Sequence, residues 1–329
     1  MRRTVLLALV LLLAGCQAGP EPARSPHSAP APQVSLQPDA SLKLSLEKER
    51  QLAYHAPEPP RLLVSTSSGA VPGRHPVREV SLDAPEGTVF DQDAPDGVTC
   101  YYRLRLGERV SNEVAIQWPD RPLPSLQRPS LLVDKSRFFL EVQDGGKRVK
   151  RYPIAMGKKY HQRKVCYDNA STPEGRYQII SLQPEATYYR AYDIDYPNAI
   201  DRQRYDFFKR NGLLEGNPDI GGEIQIHGKG IHANWTFGCM ALRNEDMDEL
   251  FAHPEIAEGT SVTIVGPELS LEDLEAIERA DPEKVKEALQ RELGPEAGFD
   301  PESLGRFQLA RTLPVTCQAD RLTLQALGL

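Results

Sequence analysis

Ile224-Gln225-Ile226-His227-Gly228-Lys229-Gly230-Ile231-His232-Ala233-Asn234-Trp235-Thr236-Phe237-Gly238-Cys239-Met240-Ala241-Leu242 is the stretch around which this chain is organised. It reads as a strand ending in a histidine, a short polar loop, and a cysteine between a glycine and an apolar run. Cysteine attacks as its thiolate, so it needs a base within reach, and histidine is the usual one. A small neighbour such as Gly238 lets backbone N–H groups approach the oxygen of whatever the sulfur attacks. A His–Cys pair alone is weak evidence, and its meaning comes from the chain around it.

Upstream, Leu131-Leu132-Val133-Asp134-Lys135-Ser136 and Arg137-Phe138-Phe139-Leu140-Glu141-Val142 read as strands, and Asp144-Gly145-Gly146 reads as a hairpin turn. Lys150-Arg151-Tyr152-Pro153-Ile154-Ala155-Met156-Gly157 is the partner strand. Thr172-Pro173-Glu174-Gly175-Arg176-Tyr177 is a turn entering a further strand. Downstream, Asn244-Glu245-Asp246 opens a short helix with Asn244 as its cap. Between turn and active strand, Tyr205 and Phe208 stand at helical spacing within Asp201 to Asn211 and are expected to pack.

Val133-Asp134-Lys135, Tyr152-Pro153-Ile154-Ala155-Met156-Gly157, Thr172-Pro173-Glu174-Gly175-Arg176-Tyr177, Ile226-His227-Gly228 and Thr236-Phe237-Gly238-Cys239 occur in the order seen in the L,D-transpeptidase (YkuD) family. The chain resembles that family over 129–267. The family's common signature reads Ser/Thr-His-Gly-Cys, followed two places later by Arg or Asn. Phe237 and Ala241 stand in place of the histidine and the Arg/Asn, a form similar to the YafK-like branch. The resemblance implies a mostly β domain with Cys239 as nucleophile and His227 as base. Gly238, Thr236 and Gly228 are then the supporting and oxyanion positions. Tyr192, Tyr196, Asn198, Trp235 and Arg243 are candidate substrate contacts.

Two other histidines compete for the role of base. His232 lies in the loop without the Ile-His-Gly context, and His161 sits among Lys158, Lys159, Arg163 and Lys164, which read as a solvated face or a carboxylate contact. A zinc site from His227, His232 and Cys239 lacks an evident fourth ligand, so no metal and no cofactor is expected.

Before the catalytic segment, residues 59–119 carry short alternating runs such as Thr99-Cys100-Tyr101-Tyr102-Arg103-Leu104-Arg105-Leu106, separated by turns. They resemble part of a fibronectin type III sandwich; a generic β-rich spacer is the other reading. The prolines of 119–129 mark a stiff linker. Residues 16–58 read as a flexible tether, Pro-, Ala- and Ser-rich at first, with an amphipathic stretch at Ser41 to Tyr54 expected to be helical.

At the start, Arg2 and Arg3 precede an apolar run, Val5 to Leu13, with the layout of a secretory signal over 1–15. It ends in Leu13-Ala14-Gly15-Cys16, which resembles a bacterial lipobox and makes Cys16 the lipidation site. Several acyl chains on one residue would hold the protein stably at a membrane. Gln17 is not the aspartate associated with inner-membrane retention, so the expected location is the outer membrane, facing the periplasm.

Residues 268–329 show helix starts at Ser270, Asp281-Pro282 and Asp300-Pro301 and resemble a small helical peptidoglycan-binding domain. A net charge of −7 with no basic stripe argues against a nucleic-acid partner. Cys100, Cys166 and Cys317 lack metal-ligand spacing; a Cys100–Cys166 disulfide and three buried thiols both remain open.

The fold class expected is multidomain: a mainly β, L,D-transpeptidase-like catalytic domain, preceded by a small β-sandwich-like region and followed by a small helical bundle. The function expected is cysteine-dependent transfer on peptidoglycan tetrapeptide stems through an acyl-enzyme at Cys239. The acceptor is an amine of another stem or of an envelope lipoprotein. Hydrolysis of peptidoglycan attachments and non-catalytic anchoring to peptidoglycan are the alternatives.

Overall fold

The computed structural model describes residues 38–72 and 75–329. The leader, Cys16 and the proline-rich start of the tether lie outside the described residues. Among those described, no helix is long and apolar enough to cross a membrane.

The first layer pair begins earlier than the sequence suggests. Residues Ser41 to Tyr54 are not a helix. They form strands β1 (Lys43–Leu46) and β2 (Leu52–His55), paired antiparallel, with β5 (Glu86–Val89) beside β2. The tether expected over 16–58 therefore ends before β1. A second sheet holds β3 (Arg61–Ser65), β4 (Val77–Ser81), β6 (Thr99–Leu106), β7 (Arg109–Val110) and β8 (Val114–Gln117). Leu44 and Leu52 of the first sheet share one core with Leu62, Val64, Tyr102, Leu104 and Ile116 of the second. Alternation along each strand supplies those inward positions. The linker after β8 is not merely a spacer: Leu123 and Leu126 are buried in the next core.

That core belongs to an eight-stranded sheet in the order β11-β10-β9-β16-β12-β13-β14-β15. Its strands are β9 (Pro129–Asp134), β10 (Phe139–Asp144), β11 (Lys147–Pro153), β12 (Gly175–Ala186), β13 (Tyr189–Ile194), β14 (Gln225–His227), β15 (Met240–Ala241) and β16 (Ser261–Val265). Gly145 and Gly146 both take positive φ (57° and 79°), which closes the β10–β11 hairpin with the twist that antiparallel strands require. β16, last in sequence, lies between β9, to which it is parallel, and β12, to which it is antiparallel.

Helix α1 (Ala199–Arg210) follows β13, and α2 (Asn244–Phe251) follows β15. Four helices end the chain: α3 (Leu271–Arg279), α4 (Pro282–Leu293), α5 (Pro301–Ala310) and α6 (Arg321–Leu327). Ser270, Asp281 and Asp300 cap α3, α4 and α5 through their side chains, with proline in the first turn of the last two. Val285, Leu289, Leu304, Phe307 and Leu327 form their core.

A buried ion pair joins these parts. Lys135, just past β9, and Glu174, just before β12, are both fully buried, and Nζ lies 2.7 Å from Oε1. The ammonium also donates to the carbonyls of Gln162 and Thr172, and the second carboxylate oxygen accepts from the amides of Glu268 and Leu269. Burial pulls the Lys135 pKa down while the Glu174 carboxylate opposes it. Removing one partner of such a pair strands the other charge. Glu174→Ala should therefore lower the unfolding free energy by about 3–5 kcal/mol, read from urea denaturation. Breaking the exposed Glu275–Arg279 pair with Arg279→Ala should change it by less than about 1 kcal/mol.

Candidate active site

Strands β14 and β15 are parallel neighbours, with Ile226 opposite Met240 and His227 opposite Ala241. Ile226 and Met240 are buried in the main core. By alternation, His227 and Ala241 turn to the other face, and Cys239 is the residue just before β15. His227 and Cys239, twelve residues apart in sequence, are thus placed by one pair of adjacent strands.

The imidazole of His227 is buried, and its Nδ1 lies 2.8 Å from the Gly228 carbonyl oxygen. A carbonyl only accepts, so Nδ1 carries the hydrogen and Nε2 keeps the lone pair. Tyr188 stacks on the ring at 4.9 Å between centroids, and Trp235 meets it edge-on at 5.5 Å. Desolvation inside this aromatic enclosure lowers the His227 pKa to about 4, against the Gly228 hydrogen bond, which raises it. The imidazole is therefore neutral at physiological pH, in the protonation state a base requires.

Cys239 is 4% exposed, and its thiol donates to the Glu223 carbonyl at 3.6 Å. Thr236 closes the loop before it. Its hydroxyl donates to the Cys239 carbonyl at 2.7 Å and accepts from the Gly238 amide at 3.2 Å. Thr236 thus orients the loop, while the Gly238 N–H is turned to that hydroxyl rather than toward an incoming oxygen. Gly238 has φ 139°, and a Cβ there would lie 2.6 Å from the Ser171 carbonyl oxygen and 2.9 Å from Ile224. Only glycine fits that approach. Lys164 holds the same loop through its Nζ, which donates to the Phe237 carbonyl at 3.3 Å.

Residues 128–264 match the family model described as the YkuD L,D-transpeptidase catalytic domain. This segment belongs to the YkuD family. YafK of Escherichia coli K12, a provisionally assigned L,D-transpeptidase, is 30% identical over 104 residues, 31% of this chain and 33% of that protein. YafK of Escherichia coli O157:H7 gives the same values. The chain thus spans about a third of the length of the curated relatives it matches. Among solved structures, the L,D-transpeptidase of Xylanimonas cellulosilytica is 17% identical, with 44% of this chain and 64% of that one covered, at a TM-score of 0.30. The catalytic domain of the Enterococcus faecium L,D-transpeptidase is 15% identical, with 43% and 100% covered, at 0.26.

Within this YkuD segment, most of the candidate substrate contacts have structural duties. Tyr192 pairs with Ile226 in register and so faces the core, fully buried and stacked on Phe251 at 4.6 Å. Tyr196 is buried in the same core. Asn198 caps α1, accepting from the amides of Ile200 and Asp201 in a capping box. Arg243 precedes α2 and pairs with Asp246. Trp235 alone of the five touches His227.

Asn244 is the first residue of α2 rather than its cap. Its side-chain oxygen accepts from the Lys229 amide at 2.8 Å, and a Cβ on Gly228 would meet that oxygen at 2.6 Å. Gly228 therefore serves by letting α2 close over the loop after His227. Lys164 and Arg163 are buried, not part of a solvated face. His161 and His232 are both exposed.

Sequence reasoning missed Tyr188, whose place on the β12–β13 turn carries no spacing signal. It named Phe237 only as a departure from the signature. The ring is 54% exposed beside the cysteine loop, with Lys158 Nζ 4.7 Å from its centroid. Cys100, Cys166 and Cys317 are buried thiols with no disulfide among the described residues. Burial pushes Cys100 up to about 12 and Cys317 up to about 11, away from thiolate chemistry.

The His227 environment has a measurable signature. The group falls from 6.5 in the unfolded chain to about 4 in the fold, so between these values the unfolded chain holds the extra proton. Stability should fall as pH drops from 6.5 to 4, with a His227 share on the order of 3 kcal/mol. In His227→Gln, the thermal midpoint should vary less over that window than in the parent. Gly238→Ala should lower the midpoint at every pH in scanning calorimetry, since its strain does not titrate.

Proposed function

We propose that the protein is a cysteine-dependent L,D-transpeptidase that acts on peptidoglycan tetrapeptide stems. The observation that carries this reading is a buried, neutral imidazole whose Nδ1 is held by a carbonyl, on the strand paired with the one that directly follows the buried Cys239 thiol. Membership of residues 128–264 in the YkuD family supplies the reaction class.

In the proposed reaction, His227 Nε2 takes the Cys239 proton as sulfur attacks the carbonyl of the third stem residue, diaminopimelate. The resulting imidazolium gives that proton to the leaving amine, and terminal D-alanine departs, leaving a thioester on Cys239. An acceptor amine then attacks the thioester while His227 takes its proton, and the new amide leaves as the thiol reforms. The amine belongs to a second stem or to an envelope lipoprotein. Thr236, Gly238 and Gly228 hold the loops in place for both steps, and Trp235 keeps the imidazole enclosed.

The lipobox-like Leu13-Ala14-Gly15-Cys16 supports a location to match. On this reading the chain is acylated at Cys16, sits at the outer membrane facing the periplasm, and reaches the wall on its tether.

Incubation of the protein with purified muropeptides, followed by mass spectrometry, tests the proposal. The parent should release D-alanine and form 3–3 dimers or amine-linked products, and Cys239→Ala should reduce both by a thousandfold or more, about 4 kcal/mol of barrier. Release with no new amide would make water the acceptor. Equal behaviour of parent and Cys239→Ala would overturn the enzymatic reading in favour of an anchor.

A further inference from the structure

Residues 211–223 lead from α1 to β14 with neither helix nor strand between. Every one of them is exposed or half-buried, so the segment places no side chain in the core before Ile224. Its hydrogen bonds to the rest of the fold run one way. The Pro218 carbonyl accepts from the Tyr205 hydroxyl at 2.9 Å, that of Asp219 from the Tyr167 amide at 2.8 Å, and that of Ile220 from the Tyr196 hydroxyl at 3.4 Å. From Leu214 to Gly222, no N–H donates to another described residue. A surface segment without buried side chains or donated bonds belongs to the part of a fold that opens locally at low cost.

One further carbonyl of this segment meets the nucleophile. The Cys239 thiol donates to the Glu223 oxygen at 3.6 Å, and Cys239 is 4% exposed. A carbonyl only accepts, so the contact exists only while the sulfur is protonated, and it disfavours the thiolate. The hydrogen that His227 Nε2 is to take therefore points at Glu223 in this conformation. It has to turn away before transfer to the imidazole can begin.

The backbone at Glu223 is unusual. Its φ is 54°, a left-handed value that a residue with a side chain disfavours and that persists only where the surroundings impose it. Such residues gather at switching segments. Gly221 and Gly222 come directly before it and give the chain freedom to turn there. The imidazole is covered from elsewhere, by Tyr188 and Trp235, so the contact of this segment with the proposed pair is with the sulfur.

We infer that residues 211–223 form a strap that latches the thiol in its neutral, covered state, and that it swings away at Glu223 to admit the donor peptide. Closed, the Glu223 carbonyl holds the S–H hydrogen. Open, that hydrogen is free to pass to His227 as the sulfur attacks. The inference rests on Cys239 as the nucleophile, but its test reads access to the thiol and needs no turnover, so the two can fail separately.

Timed alkylation of the full chain with iodoacetamide at mildly alkaline pH, with each cysteine read by peptide mass spectrometry, tests it. Cys239 should react at least roughly tenfold more slowly than a short cysteine peptide, at a rate unchanged by urea below the unfolding transition, because opening the strap exposes little surface. Cys100 and Cys317, buried away from the strap, should react only as urea unfolds the chain. Glu223→Pro, which fixes φ at about −65°, cannot form the latch and should speed Cys239 alkylation roughly tenfold or more. Glu223→Ala leaves the carbonyl in place and should stay within about twofold of the parent. If Glu223→Pro does not fold, the urea dependence in the parent carries the test. Parent Cys239 reacting as fast as the peptide, Cys239 labelling that follows global unfolding, no acceleration in Glu223→Pro, or equal acceleration in Glu223→Ala would each overturn the inference.

Discussion

The buried Lys135–Glu174 pair is the contact on which the rest of the structure depends. An ammonium has three donors, and here each meets an oxygen: Glu174, Gln162 and Thr172. A pair of buried charges contributes little net stability over a well-packed apolar substitute, but it fixes geometry once every donor and acceptor is placed. This one fixes the end of β9 and the entry to β12 on either side of the central strand. It also anchors both ends of the 162–172 loop and the chain leading to the terminal helices. From that loop, Lys164 reaches the Phe237 carbonyl, and the Ser171 carbonyl forms the wall against which Gly238 sits. The position of the cysteine loop thus descends from an ion pair in a different part of the sheet.

The candidate site itself is built on desolvation rather than on charge. His227 is enclosed by Tyr188 and Trp235, and its protonated form is disfavoured by that burial. The thiol donates to a carbonyl. On the proposed reading, the sulfur is activated as it attacks, by transfer of its proton to a neutral imidazole, instead of resting beside an imidazolium. A base lowered to about 4 is intrinsically weak, and its merit is that it is almost entirely unprotonated at neutral pH.

Part of the fold was legible in sequence. His227 and Cys239 could be singled out as candidates because a strand ending in histidine and a Gly-Cys loop are local patterns, and the Asp144-Gly145-Gly146 turn specified its hairpin. The misreadings share a cause. Ser41 to Tyr54 looked amphipathic because a charged Glu47-Lys48-Glu49-Arg50 centre separates two short apolar alternations, and over so short a span the two periods are hard to tell apart. Tyr192 read as a cleft residue until its register with Ile226 placed it inside. Lys135, Glu174, Arg163 and Lys164 were unreadable as buried groups because their surroundings come from distant segments; Lys135 and Glu174 are 39 positions apart. Asn244 offered a capping side chain to a helix that begins one residue too early to use it.

The central place of β16 has a bearing on how the chain assembles. Strands β9 to β11 form one antiparallel group, β12 to β14 form another with β15 parallel to β14, and β16, the last of the eight in sequence, pairs with both β9 and β12. Its parallel register with β9 closes a loop of some 130 residues, a contact of very high order and correspondingly slow formation. The two groups also meet directly, where Ala155 and Ala241 exchange amide hydrogen bonds and where Lys158 and Lys164 donate to the carbonyls of Thr236 and Phe237. A chain that has not yet reached β16 therefore already holds every residue that touches the cysteine loop from the 155–172 segment, and what arrives last is the long-range closure that joins β9 to β12.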